Sequence, residues 1–168
     1  MSIHPGDSIP SMSLQVASPQ GAQDSDTAQL FSGKRVVLFS VPGAFTPTCS
    51  ERHLPGYVQH YDEFAKRDIA VYCLSVNDAF VMQAWGESQH VPAGLLMLAD
   101  GNGAFTRALG LEMDASPFGM GVRGKRFALY AENGIARAIE VEAPGEFRVS
   151  SAEAMLQTID ALSSNSPE

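Results

Sequence analysis

The sequence predicts an α/β fold in which a mixed central sheet is flanked by helices. Three observations lead to this prediction. Short apolar runs typical of buried strands alternate with segments of helical spacing, a hairpin signal follows late in the chain, and an amphipathic segment comes last. The 168 residues are enough for one sizeable core. We therefore expect a single domain spanning residues 1–168.

The opening of the chain is expected to be extended and rich in turns. Ser25 or Asp26 can then cap a short helix that runs through Phe31, with Gly33 as its stop. The apolar run 36–41 follows and has the composition of a buried strand.

A long helix is predicted over residues 47–66, where apolar side chains recur at helical spacing. Pro55 lies inside this segment and should bend it, because proline has no N–H for an intrahelical hydrogen bond. The near-continuous apolar run 69–76 predicts a second buried strand. The elements predicted next are a helix capped by Asn77 or Asp78 and running toward Gln89, a strand at 95–98, a turn at 100–103, a helix at 104–109 stopped by Gly110, and a loop through Gly124.

A β-hairpin is predicted around Asn133-Gly134, which is the strongest short signal for a two-residue turn. The apolar segments 127–131 and 135–141 on either side would form the antiparallel pair. The sheet should therefore be mixed.

The last element is predicted to be an amphipathic helix across the sheet. Ser150 and Glu153 have the spacing of a capping box ahead of it. Helices interleaved with strands, followed by a hairpin and a helix, fit a thioredoxin-like sandwich better than a Rossmann domain.

Composition excludes several classes of function. With 45% hydrophobic and 18% charged residues, the chain has the composition of a soluble globular protein. The formal net charge of −8 and the lack of a basic run argue against nucleic-acid and membrane binding. Met1 to Pro10 does not resemble a secretory signal, so we expect a cytoplasmic protein. The cysteines are Cys49 and Cys73, too few for a disulfide scaffold, and no metal site is predicted.

Cys49 is the candidate for chemistry. The chain leaves a strand, turns, and enters a helix with Thr46 as a possible N-cap and Pro47 at the first helical position. In the first helical turn, free N–H groups and the helix dipole favour a thiolate, which is the nucleophilic form. The alternative is that Cys49 is only a small buried apolar residue beside a proline turn.

The segment Pro42-Gly43-Ala44-Phe45-Thr46-Pro47-Thr48-Cys49 resembles the peroxidatic signature of type II, peroxiredoxin-V-like peroxiredoxins. Further matches extend over nearly the whole chain, at 49–50, 53–56, 75–78, 84–85, 98–101, 125–128 and 149–153. The resemblance implies a thioredoxin fold without a bound cofactor. It also implies Cys49 as nucleophile, Thr46 and Arg126 as donors to the peroxide, and Pro42 as a shield.

The implied activity is a thiol peroxidase that reduces hydrogen peroxide and organic hydroperoxides through a Cys49 sulfenic acid. A second thiol must then condense with the sulfenic acid. Cys73 lies in the middle of a predicted buried strand and is interpreted as a packed apolar residue, and residues 145–151 contain no cysteine. The resemblance is closest to one-cysteine members that glutathione and glutaredoxin recycle. Thioredoxin is the competing reductant, and a non-catalytic redox sensor or partner-binding module is the alternative function.

Other functions for Cys49 do not agree with the residues around it. Cys49-Ser50-Glu51-Arg52 lacks the second cysteine of a disulfide oxidoreductase. No local signature supports a cysteine hydrolase built on any histidine, and His53 is interpreted as structural. The subfamily commonly pairs beside the active site, so a homodimer is expected, with Phe45, Phe80 and Trp85 as apolar candidates for its surface.

Overall fold

The computed structural model describes residues 2–165. Its strands and helices form three layers, a central sheet with helices on each of its two faces. The strands are β1 (Ser13–Ser18), β2 (Gly21–Asp26), β3 (Arg35–Ser40), β4 (Ile69–Ser75), β5 (Leu96–Ala99), β6 (Glu112–Asp114), β7 (Val122–Gly124), β8 (Phe127–Glu132) and β9 (Ile135–Val141). The helices are α1 (Thr27–Phe31), α2 (Leu54–Gln59), α3 (Tyr61–Lys66), α4 (Ala79–Ser88), α5 (Ala104–Leu109) and α6 (Ala152–Asn165). Within the described chain, none of these helices is long and apolar enough to cross a bilayer.

Seven strands form one mixed sheet in the order β2-β1-β5-β4-β3-β8-β9. The central strands β3, β4 and β5 run parallel, whereas the pairs β1–β2, β1–β5, β3–β8 and β8–β9 are antiparallel. The strands β6 and β7 pair separately. The predicted thioredoxin-like α/β fold with a mixed sheet is confirmed.

The central strands of the sheet are buried on both faces, as their near-continuous apolar sequences require. Along β3, Val37 and Phe39 face the core layer that contains side chains of α2, α4 and α6. The alternate residues Val36 and Leu38 face the layer that contains side chains of α1 and α5. Cys49 lies in the first of these layers, so the chemistry is placed on the α2–α4–α6 side of the sheet.

Several local signals in the sequence are confirmed. The side chains of Asp26 and Asp78 each accept a hydrogen bond from a main-chain N–H in the first turn of α1 and α4. The helix α5 ends at Gly110, whose φ is 73°. The β8–β9 turn has Asn133 and Gly134 at φ 49° and 77°, both in the left-handed region that a two-residue hairpin turn needs.

The predicted long helix is divided into three segments. Helical residues begin at Pro47, continue through a π-helical turn at Cys49–His53, and then form α2 and α3. In the π-helical turn the N–H of Leu54 donates to the carbonyl oxygen of Cys49, five residues earlier. Pro55 follows directly and has no N–H, so the α-helical ladder is interrupted at this point.

Two pairs of strands lie where the sequence predicted other structure. The hairpin β1–β2 replaces the extended, turn-rich opening, and β6–β7 lies in the segment predicted as a loop through Gly124. The strand β2 is the outer strand of the sheet and is largely exposed, so it lacks the apolar alternation that identifies a strand. The strands β6 and β7 have three residues each, too few for a recognisable pattern.

The predicted capping box at Ser150 and Glu153 is wrong by one residue. The hydroxyl of Ser151 accepts from the N–H of Ala154 at 3.1 Å and so caps α6. The Ser150 hydroxyl instead donates to Glu142, 2.7 Å away. Ser150 therefore hydrogen-bonds to the buried carboxylate of Glu142 instead of capping the helix, which is what the local pattern had predicted.

Candidate active site

Cys49 lies just beyond the carboxyl end of β3, in the first turn of the helix that begins at Pro47. The Ser50 N–H donates to the carbonyl oxygen of Thr46 at 2.9 Å, which closes this turn. The Cys49 side chain is fully buried. A strand end and a helix start therefore hold the thiol in one position.

The loop between β3 and this helix is pinned at several points. Phe45 has a φ of 64°, a conformation that is uncommon for residues other than glycine. The N–H of Ala44 donates to the side-chain oxygen of Asn77 at 3.0 Å. The Thr46 hydroxyl donates to the carbonyl oxygen of Gly43 at 2.7 Å. The predicted site residue Thr46 thus directly precedes the helix that carries Cys49, and its hydroxyl stabilises the loop before that helix.

Arg126 connects the sheet to Cys49. It precedes β8, and its Nη2 donates to the Cys49 sulfur at 3.1 Å. Its Nη1 donates to Nδ1 of His53 at 2.9 Å. The structure therefore brings together two predicted site residues that are 77 positions apart in the sequence, and it adds His53 to them.

The contacts of His53 fix its tautomer. Its Nε2 lies 3.0 Å from the carbonyl oxygen of Ser150, which can only accept, so Nε2 carries the proton. Its Nδ1 is free to accept from Arg126. Burial, followed by the charge of Arg126, lowers the pKa of His53 to about 3. The imidazole is therefore neutral at physiological pH and acts as an acceptor that orients the guanidinium.

Phe147 covers the pair formed by His53 and Arg126. Its ring centroid lies 5.1 Å from that of His53 and 6.0 Å from the Arg126 guanidinium carbon. The guanidinium carbon of Arg52 also lies close to this ring, 4.8 Å from the Phe147 centroid. The aromatic ring reduces the access of water to the polar contacts beneath it, which strengthens them.

A cleft of about 270 Å³ opens next to Arg126, the residue that contacts the buried Cys49 thiol. Its lining includes Pro42 and Arg126, two of the predicted site residues. The other residues that line it are Thr48, Met113, Lys125 and the segment 142–146. A small molecule in this cleft would lie against the guanidinium that contacts Cys49.

Cys73 lies in β4, between β3 and β5, and is fully buried. Burial, and then the proximity of Cys49, raises the pKa of the Cys73 thiol well above its usual value. The thiol is therefore protonated and shielded from solvent. The interpretation of Cys73 as a packed apolar residue is confirmed.

One predicted surface residue is not on the surface. Trp85 is fully buried, and its Nε1 donates to the hydroxyl of Ser50 at 2.9 Å. The prediction that Trp85 contributes to a dimer surface is therefore wrong, because its indole N–H and ring support the helix that carries Cys49. Phe45 and Phe80 are 56% and 73% exposed.

Three residues of the site were not identified as functional from the sequence, namely His53, Glu142 and Phe147. His53 stands four residues after Cys49, a spacing that places two side chains on one helix face and could have pointed to a shared role. Glu142 and Phe147 carry no comparable local signal, since their contribution depends on how the segment after β9 folds back.

The neutral state of His53 predicts a pH dependence of stability. The folded pKa of about 3 lies below the unfolded value of 6.5, so the contribution of His53 is complete above pH 6.5 and is lost as the pH falls. Between pH 6.5 and about 4.5, the free energy of unfolding of the wild type should fall faster than that of His53→Gln by about 1 kcal/mol per pH unit. Urea titrations measure both slopes.

The control for this experiment is His4→Gln, which removes an exposed imidazole. It should keep the slope of the wild type. If His53→Gln also kept that slope, His53 would not be held neutral in the folded protein.

Comparisons with known proteins agree with this geometry. The profile of the redoxin family matches residues 4–156. Peroxiredoxin-2E-2, chloroplastic, of Oryza sativa subsp. japonica is 46% identical over 160 residues, which are 92% of this chain and 71% of that protein.

Solved structures give the same result. Reduced Prx3 of Vibrio vulnificus in complex with H₂O₂ is 47% identical, with a TM-score of 0.88 over 94% of this chain and 99% of that one. Peroxiredoxin 5 of Alvinella pompejana is 34% identical, with a TM-score of 0.83 over 95% of this chain and 99% of that one. The chain belongs to the redoxin family and, within it, is a peroxiredoxin of type II.

Proposed function

We propose that this protein is a thiol peroxidase in which Cys49 reduces hydrogen peroxide and organic hydroperoxides to water and alcohols. The observation that carries the proposal is the hydrogen bond of 3.1 Å from Arg126 Nη2 to the Cys49 sulfur. A guanidinium at this distance stabilises a thiolate and lies where a peroxide oxygen must approach it.

In the first step, the Cys49 thiolate attacks one peroxide oxygen. A sulfur–oxygen bond forms and the O–O bond breaks, so the sulfur is oxidised to a sulfenic acid and the peroxide is reduced by two electrons. The leaving oxygen takes up a proton and departs as water or an alcohol. Arg126 and Thr46 are proposed to stabilise the negative charge that develops on this oxygen, and Pro42 to shield the sulfur from solvent.

The cleft supports organic hydroperoxides as substrates beside hydrogen peroxide. Met113, Ala143 and Pro144 provide apolar lining, and Arg126 provides a polar wall. An alkyl group on the apolar side would leave the O–O bond directed at Arg126 and the thiol.

In the second step, an external thiol is proposed to complete the cycle. Glutathione attacks the sulfenic acid, releases water and leaves a Cys49–glutathione mixed disulfide, which glutaredoxin then reduces. The burial of Cys73 within β4 supports this route, because a shielded and protonated thiol is a poor internal resolving group.

A reductant assay tests this cycle. We expect sustained peroxide consumption with glutathione and glutaredoxin together, and a glutathione adduct on Cys49 in the intact mass when glutaredoxin is omitted. Turnover that requires thioredoxin and proceeds without glutathione would assign thioredoxin as the reductant instead. If Cys49 were oxidised once and neither reductant system could sustain further peroxide consumption, the result would favour the alternative of a peroxide-sensing, partner-binding protein.

We also propose that residues 1–168 form one domain. We further propose that the protein works as a homodimer and that it is located in the cytoplasm. The exposure of Phe45 and Phe80 supports a paired surface near the active site. A purely monomeric species in sedimentation velocity would rule out the dimer, and recovery of the protein in an organelle fraction would rule out the location.

A further inference from the structure

Glu142 follows β9 and holds the segment after it. Its side chain is buried, and its two carboxylate oxygens accept from the N–H of Arg148 at 2.8 and 2.9 Å. The N–H groups of Val149 and Ser150 each donate to Oε2 at 2.8 Å, and the Ser150 hydroxyl donates to it at 2.7 Å. One carboxylate thus fixes three consecutive residues.

These hydrogen bonds require the ionised form of Glu142. Burial raises the pKa of Glu142, but the hydrogen bonds from Arg148, Ser150 and Val149 outweigh it and leave the pKa below its usual value. Glu142 is therefore an anion at neutral pH. A buried anion that accepts this many hydrogen bonds strongly restricts the backbone that donates them.

A continuous series of contacts leads from this carboxylate to the thiol. The Ser150 carbonyl oxygen accepts from Nε2 of His53 at 3.0 Å and from the Tyr57 hydroxyl at 2.8 Å. His53 Nδ1 accepts from Arg126, which donates to the Cys49 sulfur. The direction of the Ser150 carbonyl therefore determines the tautomer of His53 and, through it, the orientation of Arg126.

We propose that Glu142 is a positioning residue of the active site, which acts on Cys49 through Ser150, His53 and Arg126. The same carboxylate holds the segment that contains Phe147, whose ring covers the His53–Arg126 pair. Its effect on peroxide reduction rests on the proposed function. Its effect on His53 can be measured whether or not peroxide is the substrate.

The test compares Glu142→Gln with Glu153→Gln. Both variants remove one carboxylate, but Glu153 is exposed, does not line the cleft and lies 3.1 Å from His60 as a surface ion pair. For Glu142→Gln we expect kcat/KM for hydrogen peroxide to fall about 10- to 100-fold, because small displacements of an orienting group have effects of this size. Glu153→Gln should keep the rate of the wild type.

The second readout is the ¹⁵N NMR spectrum of the His53 ring. In the wild type, His53 should be the Nε2–H tautomer and stay neutral from pH 8 down to about 5, in keeping with its pKa of about 3. In Glu142→Gln, both tautomers should appear and the ring should titrate near its usual value, because water reaches it. Loss of the Glu142 charge alone would act in the opposite direction, since that charge raises the pKa of His53.

The outcomes separate the possible roles. A folded Glu142→Gln protein with an unchanged His53 spectrum and unchanged kcat/KM would overturn the proposal. If Glu142→Gln does not fold, Ser150→Ala removes only the hydroxyl contact with Glu142 and should give a smaller loss with the same His53 signature. If the wild type reduces no peroxide, the proposed function fails, and the His53 spectra still decide the positioning role.

Discussion

Replacing Cys49 with serine is expected to abolish peroxide reduction while the protein stays folded. Sulfur can accept the peroxide oxygen and change its oxidation state, whereas a serine hydroxyl is not ionised at neutral pH and forms no sulfenic acid. Serine fits the space of the buried thiol and can accept the hydrogen bond from Arg126. A peroxide-consumption assay and a thermal melt measure the two effects.

Cys73→Ala is the control for the loss of a thiol. Cys73 is buried in the same core layer as Cys49, but its contacts are those of β4 with its neighbours. We expect the peroxidase rate to stay near that of the wild type and the stability to fall by about 1 kcal/mol. Loss of activity in Cys73→Ala, with activity kept in Cys49→Ser, would reverse the assignment of the nucleophile.

Arg126→Lys is expected to lower kcat/KM for peroxide by about 100- to 1000-fold, the size of effect found when an oriented donor to a developing oxyanion is removed. Arg126 uses two nitrogens of one rigid plane, Nη1 toward His53 and Nη2 toward Cys49. A lysine ammonium keeps the charge but cannot reproduce this fork. Stopped-flow rates of Cys49 oxidation measure the loss.

The matched control is Arg137→Lys. Arg137 is exposed in β9 and pairs with Glu132 at 3.2 Å, far along the strand from the cleft. This variant should react at the rate of the wild type. A full rate in Arg126→Lys would mean that charge alone, and not the geometry of the guanidinium, supports the reaction.

The parts of the fold that follow local rules could be predicted from the sequence. The Asn133-Gly134 turn, the Asp26 and Asp78 caps, and the stop of α5 at Gly110 depend only on residues next to each other in the chain. The strands that were missed are β1–β2 at one edge of the large sheet and the separate pair β6–β7, and they depend on pairing that local pattern does not record. β2 is exposed, and β6–β7 is short.

The role of Glu142 depends on an irregularity in the sheet. Glu132 pairs with Ile135 in β8–β9, but the register shifts by one residue between Tyr130 and Ala131. A regular hairpin from the same turn would place Arg126 opposite Val141. The bulge instead lets the Glu142 N–H donate to the Arg126 carbonyl oxygen at 2.9 Å. Because a shift of one residue exchanges the two faces of a strand, no local pattern could identify Glu142.

Cys49 was a candidate from its place in the first helical turn, and Arg126 was identified through the resemblance to a known family; the structure supplies the physical reason for their association. His53 comes from the π-helical turn, whereas Phe147 and Ser150 belong to the segment after β9, and the two segments meet around the guanidinium of Arg126. Contacts between distant segments are set by tertiary packing, so the sequence indicated the reacting groups but not the residues that orient them.

The most direct test of the account is the rate at which stoichiometric hydrogen peroxide oxidises the reduced protein. Trp85 is the single tryptophan of the chain and contacts Ser50, next to Cys49, so its fluorescence can report the reaction in stopped flow. We expect a second-order rate constant of about 10⁴ M⁻¹s⁻¹ or more, with one oxygen atom added at Cys49. Oxidation no faster than that of free cysteine at the same pH would contradict the assignment of Cys49 as a peroxidase nucleophile.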